Sequence, residues 1–415
     1  MSVATPTRQQ MRLLLPAIVS LLRAILAIAG VLIRVSPARA LSMAPWPKPS
    51  GPYPVGRCDL VLESTPRLAA RVWYPRAEPG GNRAMLYSEA DVRAIRAGQS
   101  ILPTAVLEHF GRTKTSAFED NAPEGINPSC PLVIFSHGLG GHVAQNTVLA
   151  EELSSHGFLV VSIAHPGGAA AIAWPGGKVE VLSSEQRRKL LLNPDAIKSA
   201  RTVRHARSPS DLRVASLKHA MIEPLASECH RWAGHITAAI SAVLKDPRLG
   251  PYIDLRKVAA IGMSFGGAAS AVAGECDERI HAVANLDGGQ FCADLFERES
   301  RTPLLLLQSE AAQLPKGRAW NDFFYERPDK QRIQPLARYW AVGAGHLDFT
   351  DLTLVGRPAI RSLLGLRAPQ GPAMAKDLSA IVLAFLQGAL CQRHFEMPQS
   401  TAKAFKPHVP NLVAH

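Results

Sequence analysis

The feature that most constrains the fold of this chain is a serine at the end of an apolar run, with a glycine two positions away on each side. The sequence VAAIGMSFGGAAS, residues 258–270, places Ser264 between Gly262 and Gly266, and more small residues follow. A nucleophilic serine in a sharp strand-to-helix turn needs this arrangement, because the strained backbone excludes side chains at the flanking positions. A Gly-Ser turn that merely ends a strand is the alternative, so the surrounding sequence has to distinguish the two.

Apolar runs alternate with helix-like segments on both sides of this serine. The runs predicted as strands are residues 131–138, 158–167, 257–262, 280–287, 303–310 and 337–345. Helical periodicity is found at residues 143–156 and 228–244, and an amphipathic helix is predicted at 377–391. Continuous apolar strands that alternate with helices indicate an α/β fold, with a mostly parallel sheet covered by helices on both faces.

Two shorter β-like runs, residues 58–64 and 69–75, come before the parallel set and are separated by Pro66. They predict an antiparallel start to the sheet. The segments at about 76–127 and 170–222 interrupt the alternation. Because no internal repeat is found, we interpret both as insertions in a single domain that covers residues 41–415.

The position of Ser264 between a strand and a Gly/Ala-rich helix start fits a nucleophile elbow. Such a serine needs an imidazole to take its proton and a carboxylate to orient that imidazole. In α/β-hydrolases these groups follow in the order serine, acid, histidine, each after a later strand. Asp287, followed by two glycines, and His346, in GAGHLDF, occupy those positions. Alone, the first could be a turn former and the second a surface partner of Asp348, but together they predict a catalytic triad.

The tetrahedral intermediate of such a reaction needs two hydrogen-bond donors for its oxyanion. The glycine-rich turn FSHGLGG can aim a backbone N–H, best that of Leu139, and Phe265 directly after the serine supplies the other. We interpret His137 as a structural histidine of the turn, and we favour a packing role for His165. With these donors in place, the chemistry requires no metal and no organic cofactor.

The first forty residues have the composition of an export signal. Arginines lead into the apolar sequence AILAIAGVLI, and RVSPARA ends in small residues at Ala38 and Ala40. This pattern predicts a signal peptide, residues 1–40, and therefore a periplasmic or secreted protein. The alternative is an N-terminal membrane anchor over residues 13–33, but Arg23 in its middle would be costly in hydrocarbon.

Positive charge is concentrated in one segment of a chain whose net charge is +12. Residues 178–218 contain ten Lys or Arg and four Asp or Glu. The segment is either a solvated helical face or a surface that attracts anionic lipid. An insertion after a parallel strand can cover the active site as a cap, which would bring these cations to its mouth: Arg187, Arg188, Lys189, Arg201, Arg204 and Arg207. Nucleic acid is not a favoured partner, because aromatic residues make up only 6% and no binding motif is found.

The six cysteines contain no C-x-x-C pair. In an oxidising compartment they could form bridges, and Cys276 and Cys292, which flank one predicted strand, are the best candidate pair. A metal site in CHRWAGH is not favoured, because His230 and His235 are five residues apart and diverge on a helix.

Five motifs together resemble the platelet-activating-factor acetylhydrolases, which are calcium-independent phospholipase A2 enzymes of the group VII type with bacterial relatives. The motifs are GPYPVG, RVWYP, FSHGLGG, GMSFGGA and GHLDFTD, and the likeness spans residues 51–390. The resemblance implies an exported serine ester hydrolase of α/β-hydrolase fold that acts on short or oxidised acyl groups of phospholipids. It also implies the triad Ser264, Asp287 and His346, with Leu139 and Phe265 at the oxyanion hole.

Two features depart from that family pattern. Met263 stands where such enzymes often have histidine, which would alter the wall of the pocket, and the long basic segment leaves the acyl and headgroup preference open. A general short-chain carboxylesterase or polyester hydrolase is therefore the alternative activity. A catalytically silent binding protein on the same fold is the alternative outside the enzymes, although a complete triad argues against it.

Overall fold

The computed structural model describes residues 44–98, 102–120, 123, 126, 129–325, 336–390 and 395–410. The strands are β1 (Val55–Leu62), β2 (Leu68–Pro75), β3 (Arg83–Met85), β4 (Lys114–Glu119), β5 (Cys130–Ser136), β6 (Leu159–Ile163), β7 (Ala171–Ala173), β8 (Val179–Val181), β9 (Ile253–Met263), β10 (Ala282–Leu286), β11 (Leu304–Ser309), β12 (Leu336–Ala341) and β13 (Phe405–Pro407). The α-helices are α1 (Glu89–Ala97), α2 (Thr104–Phe110), α3 (Thr147–Ser155), α4 (Ser184–Leu190), α5 (Pro194–Arg204), α6 (Pro209–Ala220), α7 (Leu225–Lys245), α8 (Phe265–Cys276), α9 (Pro358–Leu363) and α10 (Gly371–Leu390). The predicted leader, residues 1–40, lies outside the described residues.

One sheet of eleven strands organises the chain, in the order β13-β12-β11-β10-β9-β5-β6-β2-β1-β4-β3. The six strands from β12 to β6 are mutually parallel. The predicted antiparallel start is also found, because β1 and β2 pair with Asp59 opposite Arg71, and β2 runs antiparallel to β6. The prediction of a mostly parallel α/β sheet is therefore confirmed.

The apolar strands are buried on both faces, and alternate residues face different helices. In β5, Leu132 and Ile134 pack with α7 and α8, whereas Val133 and Phe135 pack with α3 and α10. Helix α10 is long and apolar enough by composition to cross a membrane, but most of it is buried against the sheet. Helices on both faces thus account for strands that show no alternation of polar and apolar residues.

The segment at 76–127 adds to the sheet, where the sequence indicated only a polar excursion. Strand β4 pairs in parallel with β1, and β3 forms the edge. Helix α1 is anchored by a buried ion pair in which the Arg71 guanidinium contacts the Asp91 carboxylate at 2.8 Å. The same carboxylate accepts a hydrogen bond from the Ser88 N–H and completes a capping box. Short strands with little hydrophobic pattern become regular here because an existing sheet edge supplies their partners.

The basic segment forms the predicted helical cap. A small hairpin of β7 and β8 leads into α4, α5 and α6. Each helix begins at a residue whose side chain accepts backbone N–H groups, namely Ser183, Asn193 and Ser208. Proline at the first position of α5 and α6 adds to these start signals, since it lacks the N–H that would otherwise be unsatisfied.

Candidate active site

Ser264 occupies a strained turn between β9 and α8. Its backbone angles are φ 56° and ψ −123°, a region that residues with a side chain rarely adopt. A Cβ at Gly262 would lie 2.1 Å from the Gly266 carbonyl, and a Cβ at Gly266 would lie 2.1 Å from the Ser136 carbonyl oxygen. The glycines are therefore required by close backbone contacts, and the turn presents the serine hydroxyl at the carboxyl edge of the sheet.

The structure brings Ser264, His346 and Asp287 into one hydrogen-bonded row. His346 Nδ1 lies 2.7 Å from Asp287 Oδ2, and His346 Nε2 lies 3.0 Å from Ser264 Oγ. Because a carboxylate can only accept, Nδ1 carries the proton and donates it, which leaves Nε2 of the neutral ring to accept from the serine hydroxyl. The imidazole is half-exposed, whereas the Asp287 side chain is only 4% exposed.

The Asp287 carboxylate is fixed from below by the backbone. Its Oδ1 accepts the N–H of Ser309 at 2.6 Å, and the N–H of Asp287 itself donates to the Leu307 carbonyl at 2.7 Å. Asn285 closes the following turn, because its Oδ1 accepts the Gly288 N–H at 2.8 Å. The sequence analysis did not identify Asn285. Its position two residues before Asp287 could have indicated this role, because asparagine side chains often bind the backbone of the turn that follows them.

Asp348 holds the loop that carries His346. Its Oδ2 accepts three backbone N–H groups, from Gly345 at 2.8 Å, Arg367 at 2.6 Å and Ala368 at 2.9 Å. The carboxylate is fully buried. The simpler interpretation of Asp348 as a surface partner of the histidine is thus wrong, because this buried carboxylate binds backbone N–H groups through Oδ2 and the Thr353 hydroxyl through Oδ1.

The glycine-rich turn after β5 approaches the serine closely. A Cβ at Gly138 would lie 3.3 Å from the Cβ of Ser264. The Gly138 carbonyl accepts His137 Nδ1–H at 2.7 Å and the Gly141 N–H at 2.7 Å, which fixes the peptide plane whose other end is the Leu139 N–H. Within the described part of the chain, neither that N–H nor the one of Phe265 has a hydrogen-bond partner.

Buried imidazoles pack beneath this turn. His165 stacks on Trp232 with ring centroids 3.8 Å apart, and its Nδ1 lies 3.1 Å from His235 Nδ1. Burial lowers the pKa of His137 and of His235 to about 4, and it lowers the pKa of His165 well below its usual range. These rings are therefore neutral at pH 7, and His137 and His165 have the packing roles expected from the sequence.

A cleft of about 620 Å³ opens over Ser264 and His346. The cap supplies one wall with Leu190, Leu191, Asn193, Ala196, Ile197, Ala200 and Arg204. Phe291 and Trp320 line the cleft from other loops, and Arg367 adds a second exposed guanidinium to that of Arg204. The sequence placed Arg204 near the mouth but gave no signal for Arg367, which follows the histidine loop.

Met263 does not alter the wall of the cleft, contrary to the expectation from the sequence. Its side chain is 1% exposed and packs in the core between the sheet, α3 and α10. Residues in a strand point alternately to opposite faces, so the position before the serine faces the core.

The predicted disulfide is also wrong, because Cys276 and Cys292 are both free thiols. Cys276 lies exposed at the end of α8, whereas Cys292 is buried. Cys58 and Cys229 are buried free thiols as well. Cys391 lies outside the described residues.

Over most of its length the chain is similar to proteins of known activity. The family model described as platelet-activating factor acetylhydrolase, isoform II, matches residues 40–409. A platelet-activating factor acetylhydrolase from Canis lupus familiaris is 26% identical over 366 residues, which cover 84% of this chain and 78% of the relative. The enzyme of the same name from Bos taurus is 26% identical over 399 residues, with 92% and 83% covered. The solved structure of a ferulic acid esterase from Streptomyces cinnamoneus matches this chain with a TM-score of 0.59 and 22% sequence identity. The match covers 88% of this chain and 99% of the esterase chain.

Proposed function

The chain belongs to the platelet-activating factor acetylhydrolase family, and we propose that it hydrolyses short or oxidised acyl esters of phospholipids with Ser264 as the nucleophile. Family membership makes the chain a serine ester hydrolase. The observation that supports the site most strongly is the hydrogen-bonded row from Asp287 through His346 to the serine hydroxyl, at 2.7 and 3.0 Å, within a strained elbow.

In the acylation half-reaction, Ser264 Oγ attacks the ester carbonyl carbon while His346 Nε2 takes the hydroxyl proton. Asp287 stabilises the imidazolium that forms and keeps Nδ1 protonated. The carbonyl oxygen becomes an oxyanion, for which the Leu139 and Phe265 N–H groups are the donors. When the intermediate collapses, the ester C–O bond breaks and His346 gives its proton to the leaving alcohol. An acyl-serine remains.

Deacylation repeats the sequence with water as the nucleophile. His346 takes a proton from water, the hydroxide adds to the acyl carbon, and the bond to Ser264 Oγ breaks with return of the proton to the serine. The half-exposed imidazole gives water access. Side chains and backbone groups of this chain transfer every proton and stabilise every charge, so no step requires a metal.

The cleft supports a substrate with an apolar acyl part and an anionic group. Leu139, Phe291 and Trp320 provide apolar surface, and Arg204 and Arg367 provide two guanidinium groups. Within the described residues, neither of these arginine side chains forms an ion pair. Planar guanidinium donors bind phosphate oxygens well, and phospholipids carry a phosphate group.

A panel of esters tests the proposed substrate class. We expect hydrolysis of p-nitrophenyl acetate and butyrate to exceed that of the palmitate by at least about tenfold in kcat/KM, and an oxidised phospholipid to be cleaved at the same site. Each ester is assayed with and without EDTA, and the chelator should leave turnover unchanged. Cleavage of the soluble esters without cleavage of the phospholipid would favour a general carboxylesterase or polyester hydrolase. If no ester were cleaved, the result would favour a catalytically silent binding protein on this fold.

We also propose that the cap contacts anionic membrane surfaces. Leu192 and Ile197 are 59% and 44% exposed beside the mouth of the cleft. Between α5 and α6 lies a groove of about 790 Å³ lined by Lys198, Arg201, Arg207 and Lys218, with Asp211 as its single acid. Exposed apolar side chains next to a basic groove are the combination that binds an anionic interface.

Salt should therefore reduce hydrolysis of an ester presented in anionic vesicles and leave hydrolysis of p-nitrophenyl butyrate unchanged. The double variant Lys198→Gln with Arg201→Gln should reduce vesicle hydrolysis by about ten- to thirtyfold at low salt, since each cation near the surface contributes about 1 kcal/mol. Lys198 and Arg201 are preferred over two other cations of the cap whose side chains make contacts within the protein. Arg187 donates to the Gly98 carbonyl, and Lys189 pairs with Glu185 at 2.6 Å.

The matched control is Lys403→Gln with Lys406→Gln, which removes two exposed cations far from the cap in sequence, one just before β13 and one within it. It should behave as the unaltered protein with both substrates. Equal salt responses for the vesicle and the soluble ester would instead show the cap to be an ordinary solvated helical surface.

Export remains a proposal that rests on the leader sequence alone. The charged start, apolar run and small residues before position 41 support a periplasmic or secreted protein over an anchored one. Mass measurement of the N-terminus after expression in a secreting host would distinguish cleavage after Ala40 from retention of the segment.

A further inference from the structure

Three side chains with metal-binding atoms meet where α7 passes the loop that follows the catalytic acid. His230 comes from α7, and Cys292 and Asp294 come from the loop. His230 Nε2 lies 3.3 Å from Cys292 Sγ and 3.7 Å from Asp294 Oδ2, and all three ligand atoms lie within 4.8 Å of one another. The reaction derived above uses none of these groups.

Two spacings among these atoms are close to those of a tetrahedral zinc site. Zinc binds thiolate sulfur at about 2.3 Å and imidazole nitrogen or carboxylate oxygen at about 2.0–2.2 Å. At tetrahedral angles those bonds place sulfur and nitrogen about 3.6 Å apart, and nitrogen and oxygen about 3.4 Å apart. The two separations that involve His230 Nε2, 3.3 and 3.7 Å, differ from these values by a few tenths of an ångström, and Cys292 Sγ lies within 4.8 Å of the Asp294 carboxylate. Side-chain rotations would bring all three atoms to bonding distance of one ion.

We propose that His230, Cys292 and Asp294 bind a zinc ion, with water as the fourth ligand. A thiolate, an imidazole and a carboxylate form a ligand set that suits zinc and disfavours magnesium or calcium, which prefer oxygen alone. His230 and Asp294 are 48% and 71% exposed, so the ion can enter from solvent, whereas the Cys292 side chain is 1% exposed and lies at the inner end of the site. Binding replaces the thiol proton and releases it.

The ion would connect the loop to the helix and thereby steady one wall of the cleft. Phe291, next to Cys292, lines the cleft, and its ring centroid lies 5.0 Å from that of Phe265. Because the ion would join the loop to α7 and takes no part in the ester reaction, its loss should lower thermal stability more than turnover.

Metal titration of the purified, reduced and chelator-treated protein tests this site. We expect one equivalent of Zn²⁺ to bind in calorimetry and to raise the unfolding midpoint by about 2–4 °C. Co²⁺ should give a thiolate-to-cobalt charge-transfer band. Cys292→Ser and His230→Gln should each remove that band and weaken Zn²⁺ binding at least tenfold, and the exposed His230 provides a variant that keeps the fold if the buried cysteine change does not.

Cys276→Ser is the matched control, because it removes a free thiol that is absent from the ligand set. It should retain both the band and the affinity. Failure of the unaltered protein to bind Zn²⁺ at micromolar concentration, unchanged binding by His230→Gln, or a disulfide at Cys292 in the exported protein would overturn the proposal. Ester hydrolysis in EDTA is measured separately, so that outcome does not depend on the proposed function.

Discussion

Ser264→Ala should give a folded protein whose ester turnover is lower by about four to six orders of magnitude, because the acyl-enzyme route is removed and only the oxyanion donors and binding remain. The measurement is kcat for p-nitrophenyl butyrate, with circular dichroism and the unfolding midpoint as checks on folding. Alanine keeps the side chain at the elbow small. The energetic cost of a φ of 56° is about the same for alanine as for serine, so the variant should keep the fold.

Ser270→Ala provides the matched control for this variant. Ser270 lies in the same helix α8 and is fully buried, and its hydroxyl has no hydrogen-bond partner among the residues that the structure describes. Removing that hydroxyl should leave turnover unchanged and stability equal or slightly higher. A Ser264→Ala protein that retained more than a few per cent of the turnover would mean that another group attacks the ester.

The parallel core was predictable because its signals are local. Each central strand is a short apolar run closed by a turn, and the elbow glycines follow from contacts that any chain with a serine in this turn must make. The order of serine, acid and histidine at strand ends then predicted their meeting, because the carboxyl ends of parallel strands share one edge.

Elements that depend on a distant partner were harder to predict. Strand β3 has only three residues and β13 pairs antiparallel with β12 from the far end of the chain, so neither has a periodicity to recognise. The pairing of Cys276 with Cys292 was inferred from proximity along the chain, and the structure instead places Cys292 beside His230. Sequence spacing cannot show such a group when its members come from a helix and a separate loop.

The role of Asp348 depended on the same kind of information. In sequence it lies two residues after the histidine, as close as a partner could be, whereas Asp287 is 59 residues away. The structure gives Asp348 a role other than surface pairing with the histidine, since the backbone N–H groups of Gly345, Arg367 and Ala368 donate to it. Burial and backbone donors make this carboxylate a support for the loop, and an exposed imidazole needs such support to keep one orientation.

Asp287→Asn should lower kcat by about four orders of magnitude with little change in the unfolding midpoint. Asp287 Oδ1 accepts the Ser309 N–H at 2.6 Å, so the amide of the variant keeps its oxygen there and turns its NH₂ toward His346. Nδ1 must then accept, the ring proton moves to Nε2, and Nε2 can no longer take the proton of Ser264. The loss therefore comes from the tautomer, and KM should change little.

Asp348→Asn is the comparison that separates the two carboxylates. One of its oxygens must become an NH₂ group facing either the three backbone N–H donors or the hydroxyl of Thr353 and the guanidinium of Arg361, so the unfolding midpoint should fall by several degrees. Turnover measured well below that midpoint should remain within about tenfold, because the bond from His346 to Asp287 is intact. The reverse pattern, a large loss of kcat in Asp348→Asn at unchanged stability beside a mild effect of Asp287→Asn, would assign the acid to Asp348 and would require the histidine loop to rearrange when substrate binds.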